Sequence, residues 1–359
     1  MSIIKQAGQA VLAVIAASAL LAVPVARADT YNLRIGSGHP SGPSVYVREV
    51  EKFFVPEVIK RVKERTGHTV TFTQAYGGTI AKPHETLTAV QNGLLDIGAF
   101  CYCFESSRMF INNFPYWVPF GPTSSVMAAK AARKVYDEFP QLSQSLEKYD
   151  QRLLGLSGWD NYHLGTTFAW DKLADMKGRK IGAAGPNLPW LEGSGAVGVS
   201  TTLPEVYNAM KSGIFEGIIM FPSGFAGFKF YEPAPNFKMV NFGATQVNAL
   251  TINLRTWNKL PKEVQAILAE VGREYEIRGA QALDDSNAAG LEQLKKVGAK
   301  ITEMSPEARH NWAEGLKDWP NKMAKEADKR GTPGSAVMKA YLRHLKAEGW
   351  KPTVDYAIQ

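Results

Sequence analysis

Tyr31-Asn32-Leu33-Arg34-Ile35-Gly36-Ser37-Gly38-His39-Pro40-Ser41-Gly42-Pro43 reads as a strand that stops abruptly in a loop. Residues 31–35 alternate apolar and polar side chains, the period of a half-buried strand, and the Gly, Ser and Pro cluster after them cannot extend it. From Val45 to Arg65 the apolar positions Val47, Val50, Phe54, Val58, Ile59 and Val62 fall at largely helical spacing, and Thr69 to Gln74 alternates again. The unit is strand, helix, strand. Tyr76-Gly77-Gly78-Thr79 then turns the chain into a second helix, about Pro83 to Asn92, and a strand from Leu95 to Phe100 follows Gly93. Such alternation predicts an α/β sheet, in which the loops at the carboxyl ends of the strands gather around a ligand crevice. His39, Tyr76, Cys101 and Tyr102 all stand at such ends.

Further along, the aromatic stretch Phe114 to Phe120 precedes a helix from about Ser124 to Phe139, and Arg152 to Trp159 reads as a strand. The pattern then restarts. Trp170 to Met176 predicts a short helix, Lys180 to Ala184 a strand, Leu188 to Val197 a glycine-containing helix, Leu203 to Ser212 another helix and Gly217 to Phe221 a strand. Lys238 to Phe242 and Asn248 to Leu254 look like strands returning the chain between two lobes. Pro261 to Val297 is one long helical pattern or a closely spaced pair, with Gly272 and Gly279 as possible breaks. A helix of roughly 35 residues spans about 50 Å, longer than one lobe, so its expected place is across both. No low-complexity linker interrupts the chain, which predicts lobes interlaced through several crossings.

The amino terminus sets an expectation for the compartment. Lys5, the apolar run Val11 to Val25 and then Ala26-Arg27-Ala28 have the layout of a cleavable export signal, with cleavage after Ala28. The apolar run is short for a membrane span. No cysteine stands there for lipid attachment, since the two cysteines are Cys101 and Cys103. Removing residues 1–28 takes away Lys5 and Arg27 and no acid, moving the net charge from +7 to +5. No block of Lys and Arg stands out as a nucleic-acid stripe. With 45% hydrophobic residues and about 330 residues left, the chain exceeds the usual size of one domain and can bury a large core.

The order and spacing of several stretches carry a resemblance. They include Gln74-Ala75-Tyr76-Gly77-Gly78-Thr79-Ile80, Val90 to Gly98, Leu173 to Ile181, Leu203 to Met210, Gly213 to Gly217, Lys229 to Glu232 and Ile252 to Pro261. Nearly the whole mature chain resembles the DctP-type solute-binding subunits of tripartite ATP-independent periplasmic (TRAP) transporters. The resemblance implies a two-lobed periplasmic binding protein fold of α/β type, with a central ligand cleft and a long bracing helix. It also implies delivery of a small-molecule ligand to integral membrane subunits, no cofactor and no catalysis. The expected organisation is a signal peptide at 1–28, lobe I at 29–157 and 246–258, lobe II at 158–245, the bracing helix at 259–300, and C-terminal helices packed on the lobes at 301–359. After signal cleavage the protein would be free in the periplasm.

One departure from the family pattern stands out. The resemblance implies a ligand-gripping arginine two residues after a Lys-Gly-Leu-Lys type turn, because a guanidinium fork matches the two oxygens of a carboxylate. In Lys177-Gly178-Arg179-Lys180-Ile181-Gly182 that position is Gly182. A second family position for a cation falls near His163, and the segment Glu216 to Pro222 is apolar where carboxamides are usual. Trp159, Tyr162, Trp190, Tyr102, Met220 and Phe221 are therefore expected as walls of an apolar cleft, with Asn248 and Asn253 on a crossing strand. One reading makes the ligand an aromatic or otherwise atypical organic acid that meets His39, His163 or backbone amides. The other makes it a small neutral or cationic alcohol or amine in an aromatic box, with Glu105, Asp160 or Glu192 as a counter-charge.

Other functions leave traces that are missing here. The six histidines form no ligand-spaced pair, and no Gly-x-Ser-x-Gly elbow surrounds a serine. Cys101 and Cys103, read along one extended strand, are expected as free buried thiols rather than a bridge. A ligand-sensing subunit that presents its closed form to a receptor kinase remains an alternative use of the same fold.

Overall fold

The computed structural model describes residues 29–359; the export signal expected at 1–28 lies outside them. Among the described residues nine strands form one sheet: β1 (Thr30–Gly36), β2 (Thr69–Ala75), β3 (Ile97–Cys101), β4 (Gln151–Thr166), β5 (Lys180–Ala183), β6 (Val197–Ser200), β7 (Gly217–Met220), β8 (Asn236–Asn253) and β9 (Lys300–Glu303). Their order is β2-β1-β3-β8-β4-β7-β5-β6, with β9 on β8. At one end β2, β1 and β3 run parallel. At the other, β6, β5 and β7 do the same. Between them lie β8 and β4, antiparallel to each other and to their outer neighbours. The molecule therefore has two parallel-stranded lobes hung on one antiparallel pair, the two-lobed α/β fold the sequence predicts.

The inner strands of the two parallel ends, β3 and β7, are apolar because a parallel sheet covered on both faces leaves no face to be wetted. Every residue of β3 and of β7 is buried, as are nearly all of β4 and β8. The two return segments expected at 238–242 and 248–254 are one strand of 18 residues. It is irregular rather than broken: Asn241 and Gly243 take positive φ within it, and β4 slips register against it at four places between Leu153 and Leu164. Bulges of this kind re-aim side chains while the strand continues.

Three other expectations are corrected. The helix expected at 188–197 is only a turn, Leu188–Leu191, after which Gly193 and Gly195 take positive φ and the chain extends into β6. The short helix expected at 170–176 is a single turn, Leu173–Met176. The segment after the long helix begins not with another helix but with β9, paired in parallel to the start of β8.

The long helix runs unbroken from Lys262 to Lys296. Gly272 and Gly279 do not interrupt it. A Cβ at Gly272 would lie 2.2 Å from the backbone oxygen of Leu154 on β4, so the glycine lets helix and strand backbones touch. The helix is tied to the first lobe by charge as well as packing. Arg61 spans Glu270 and Glu274, Arg278 meets Glu49 at 2.8 Å, and buried Glu276 takes Arg133 and the Leu156 N–H. Asp284 accepts from Ser124 Oγ (2.8 Å) and the Ser125 N–H (2.6 Å), holding the start of helix Ser125–Glu138. Beyond it, Gly290 lies flat against Pro222 and Ser223, just past β7. The helix thus braces both lobes.

Gly272→Ala pits two effects of opposite sign. Alanine in a helix interior is favoured over glycine by about 1 kcal/mol, whereas forcing a methyl onto a fixed backbone costs about 1–3 kcal/mol. Because Leu154 O cannot swing aside, the second effect is expected to win and lower Tm by at least about 2 °C. An unchanged or higher Tm in a thermal melt would show that the helix sits on the sheet with slack.

Candidate ligand cleft

Where β4 passes from one lobe to the other, its register shifts on either side of Trp159 and of Tyr162, and both side chains face one cavity. The cavity is lined from the first lobe by Cys103 and Phe104, from β4 by Trp159 and Tyr162, and from the second lobe by residues of 183–221. It holds about 360 Å³ of space free of atoms, open solvent included. Trp159 stacks on Phe221 with ring centres 4.9 Å apart, and Tyr162 meets Phe221 edge-on at 5.3 Å. The Tyr162 hydroxyl is engaged with that of Tyr116 at 2.8 Å. Ala183, Ala184, Leu203, Val206, Ile218, Ile219 and Met220 complete an apolar wall. No acidic or basic side chain is among the lining residues.

Of the residues singled out from sequence, Trp159, Tyr162 and Phe221 line the cavity, as does Met220. His39 lies one layer behind, its ring 5.7 Å from Trp159 and 5.6 Å from Phe104. Its Nδ1 is paired with the Tyr46 hydroxyl at 2.8 Å, and its Nε2 has no hydrogen-bond partner among the described residues. Trp190 packs behind Tyr162 at 5.5 Å and donates to Tyr116 O. Tyr102 is buried against Phe100. Tyr76 is half-buried, donates to Gln74 and lies outside the lining. Asn248 ties β8 to β4 through Gly158 O. Asn253 ties that strand to Val90 O. His163 lies away from the lining, against Phe237, and its Nδ1 accepts from the Asn241 N–H.

Gly182 lies on β5 next to the lining residues Ala183 and Ala184, but not in the lining itself. A Cβ there would stand 3.0 Å from Ile218 and from the Phe215 ring, so apolar side chains cover the face from which a long side chain would project. The cysteines correct their expectation. Cys101 and Cys103 are joined, because the strand ends at Cys101 and the chain turns at Tyr102, which brings the two Cα atoms to 5.1 Å. That separation is ordinary for a disulfide. The bridge presents Cys103 and Phe104 to the cavity.

The sequence reading missed Asn187, Thr201, Leu203 and Val206. Asn187 ends the loop after β5; it is fully buried, its Oδ1 accepts the Ala184 N–H at 3.0 Å, and its Nδ2 has no partner among the described residues. An Asn that hydrogen-bonds its own loop backbone is a common turn signal, and that signal was available at Gly185-Pro186-Asn187.

Two lobes joined by crossing strands, with an aromatic cleft at the crossing, define a binding protein of the solute-capturing kind. The chain belongs to the bacterial extracellular solute-binding protein family 7 (DctP), whose model matches residues 48–327. A solute-binding protein of Sulfitobacter sp. strain NAS-14.1 is 26% identical over 161 residues, 44% of this chain and 48% of the relative; the chain thus spans about half the length of that relative. Among solved structures, the TRAP solute-binding protein of Bordetella bronchiseptica with bound (R)- and (S)-mandelate is 20% identical, covering 88% of this chain and 99% of the other, with a TM-score of 0.77. That of Rhodoferax ferrireducens T118 with copurified benzoate is 15% identical, covering 88% and 98%, also with a TM-score of 0.77.

Burial sets the charge state around the cleft. It pushes the His39 imidazole down to about 3 and, with help from nearby Arg309, His163 also to about 3. Asp160, beside Trp159 and fully buried, is pushed up to about 8 by burial, although Ser223 hydrogen bonds pull the other way. The signs oppose each other. Below pH 6.5 the unfolded chain takes up imidazole protons that the folded chain refuses, so the histidines cost stability as pH falls from 6.5 toward 3. Asp160 keeps its proton in the folded chain up to about 8 while the unfolded carboxyl loses it above 3.8, so its contribution, complete below 3.8, is lost as pH rises to 8. Asp160→Asn is expected to remove a decline of up to about 1.4 kcal/mol per pH unit between pH 6.5 and 8. Denaturant melts across that window check it; an identical slope in the variant would mean Asp160 is ionised in the fold.

Proposed function

We propose that the protein captures a small organic acid with an aromatic or otherwise apolar body by closing its lobes, and hands it unchanged to the integral membrane subunits of a TRAP-type transporter. The observation that carries this reading is the cavity between Cys103–Phe104 of one lobe and the aromatic and aliphatic wall of the other. A site assembled from two bodies favours the closed form only when a ligand fills it, which is how a binding protein signals occupancy. Trp159, Tyr162 and Phe221 supply flat apolar surface of the kind that embraces an aryl ring. The mandelate and benzoate found in structures of this fold are acids with such a body. The amino-terminal layout supports work in the periplasm, and the cleft as built calls for binding without chemistry.

The test is a thermal-shift series with benzoate, mandelate, succinate and galacturonate. Ligand at about 100 times its Kd stabilises the bound form by about 2.7 kcal/mol, so the aryl acids are expected to raise Tm by several degrees. Trp159→Ala, which removes the ring stacked on Phe221, is expected to weaken benzoate binding at least about tenfold by calorimetry. Unchanged affinity in that variant, or no shift with any aryl acid, counts against the reading.

A further inference from the structure

The cavity wall is apolar except at a few points, and one of them is left incomplete by the fold. Asn187 is the one carboxamide among the lining residues and is fully buried. Its orientation is decided by the fold. The Oδ1 accepts the Ala184 N–H at 3.0 Å, which leaves the NH2 group as the end free to donate. That Nδ2 meets no acceptor among the described residues. A buried donor without an acceptor is costly, and such a group in a cleft wall is what an oxygen of a bound molecule would complete.

We infer that Asn187 is the polar anchor of the solute, donating from Nδ2 to an oxygen of its head group while the rest of the molecule lies on Trp159, Tyr162 and Phe221. This rests on the solute-binding reading above and narrows it. The face at Gly182 is covered by Phe215 and Ile218, and no charged side chain lines the cavity. The anchoring role therefore passes from a guanidinium, which would hold two oxygens and a full charge, to a single neutral amide. An anchor of that kind fits a molecule with one oxygen-bearing head group on an apolar body. It does not fit a dicarboxylate or a polyhydroxylated sugar acid, whose further polar groups would be stranded against Leu203, Val206, Ile219 and Met220.

Asn187→Asp separates anchoring from architecture. The aspartate keeps an oxygen for the Ala184 N–H, so the loop is retained, but it puts an acceptor where the donor was. Calorimetry on the mature full chain would use benzoate and benzamide as probes for an acid and a neutral head group, with succinate and galacturonate as excluded shapes. The expected result is binding of at least one aryl probe by the unsubstituted chain and a loss of at least about tenfold in Asn187→Asp, with the ligand-free Tm within about 2 °C of the parent. Asn187→Gln, which keeps the donor on a longer stem, is expected to retain more affinity than the aspartate. Benzamide and benzoate weakened alike would place the anchor on an oxygen shared by both head groups. Aspartate and parent binding an aryl probe equally well would overturn the anchor while leaving the solute-binding reading intact. Succinate bound as tightly as benzoate would overturn the single-head-group selectivity. No binding of any aryl probe by the parent chain would remove both readings together.

Discussion

The pairing of β4 with β8 is the constraint on which the remaining structure depends. Two strands of 16 and 18 residues run antiparallel through both lobes, and every other strand is added outward from them. At the crossing they approach so closely that a Cβ on Gly158 would lie 1.7 Å from Thr245 O. Only hydrogen fits there. The close approach coincides with the register shifts that turn Trp159 and Tyr162 toward the cavity, so the feature that joins the lobes also forms the cleft wall. The long helix fixes this pair from outside through Gly272 against Leu154 and through the Tyr275 ring against Gly155, while the Tyr275 hydroxyl donates to Tyr46 O in the first lobe.

Behind the cleft, polarity is spent on architecture rather than on display. Ser37, Tyr46 and His39 form a buried chain of hydrogen bonds under Trp159. Asp160 holds Ser223, Tyr116 engages Tyr162, and Asn161 accepts the Gly243 N–H. Each satisfies groups that burial would otherwise make costly. The aromatic side chains facing the cavity are thus mounted on a polar frame that limits how far they can shift. A pocket whose rings are held in this way loses little side-chain freedom when it is filled.

Much of this was legible in the sequence, and the boundary follows physical lines. The buried strands β3 and β7 and the strand-helix repeats around them were readable because a fully covered strand must be apolar along its length. The 35-residue helix was readable from its period. β6 and β9 were not: both are short and largely exposed, and their strand character comes from the neighbour they pair with. In the cleft, Trp159, Tyr162 and Phe221 could be named because large aromatics at strand crossings have few other places to go. His163 was misplaced because side-chain direction along β4 depends on bulges that leave no mark in composition. Asn187 leaves only a turn signal in the sequence; that its Nδ2 meets no acceptor among the described residues is a property of the folded arrangement.

The link between Cys101 and Cys103 closes a ring of three residues. Joining neighbours so near in the chain removes only about 1–2 kcal/mol of unfolded-state entropy, against about 3 kcal/mol for a 15-residue loop. Its main effect is therefore local shape: it sets how the chain leaves β3 and where Phe104 stands. Such a bond persists in oxidising surroundings and is rarely kept in the cytosol. A chain with reduced thiols would keep the same lobes and bracing helix but would lack one defined edge of the cleft. In oxidising surroundings the first lobe's edge of the cavity would thus be a product of maturation, completed by oxidation after the backbone is made.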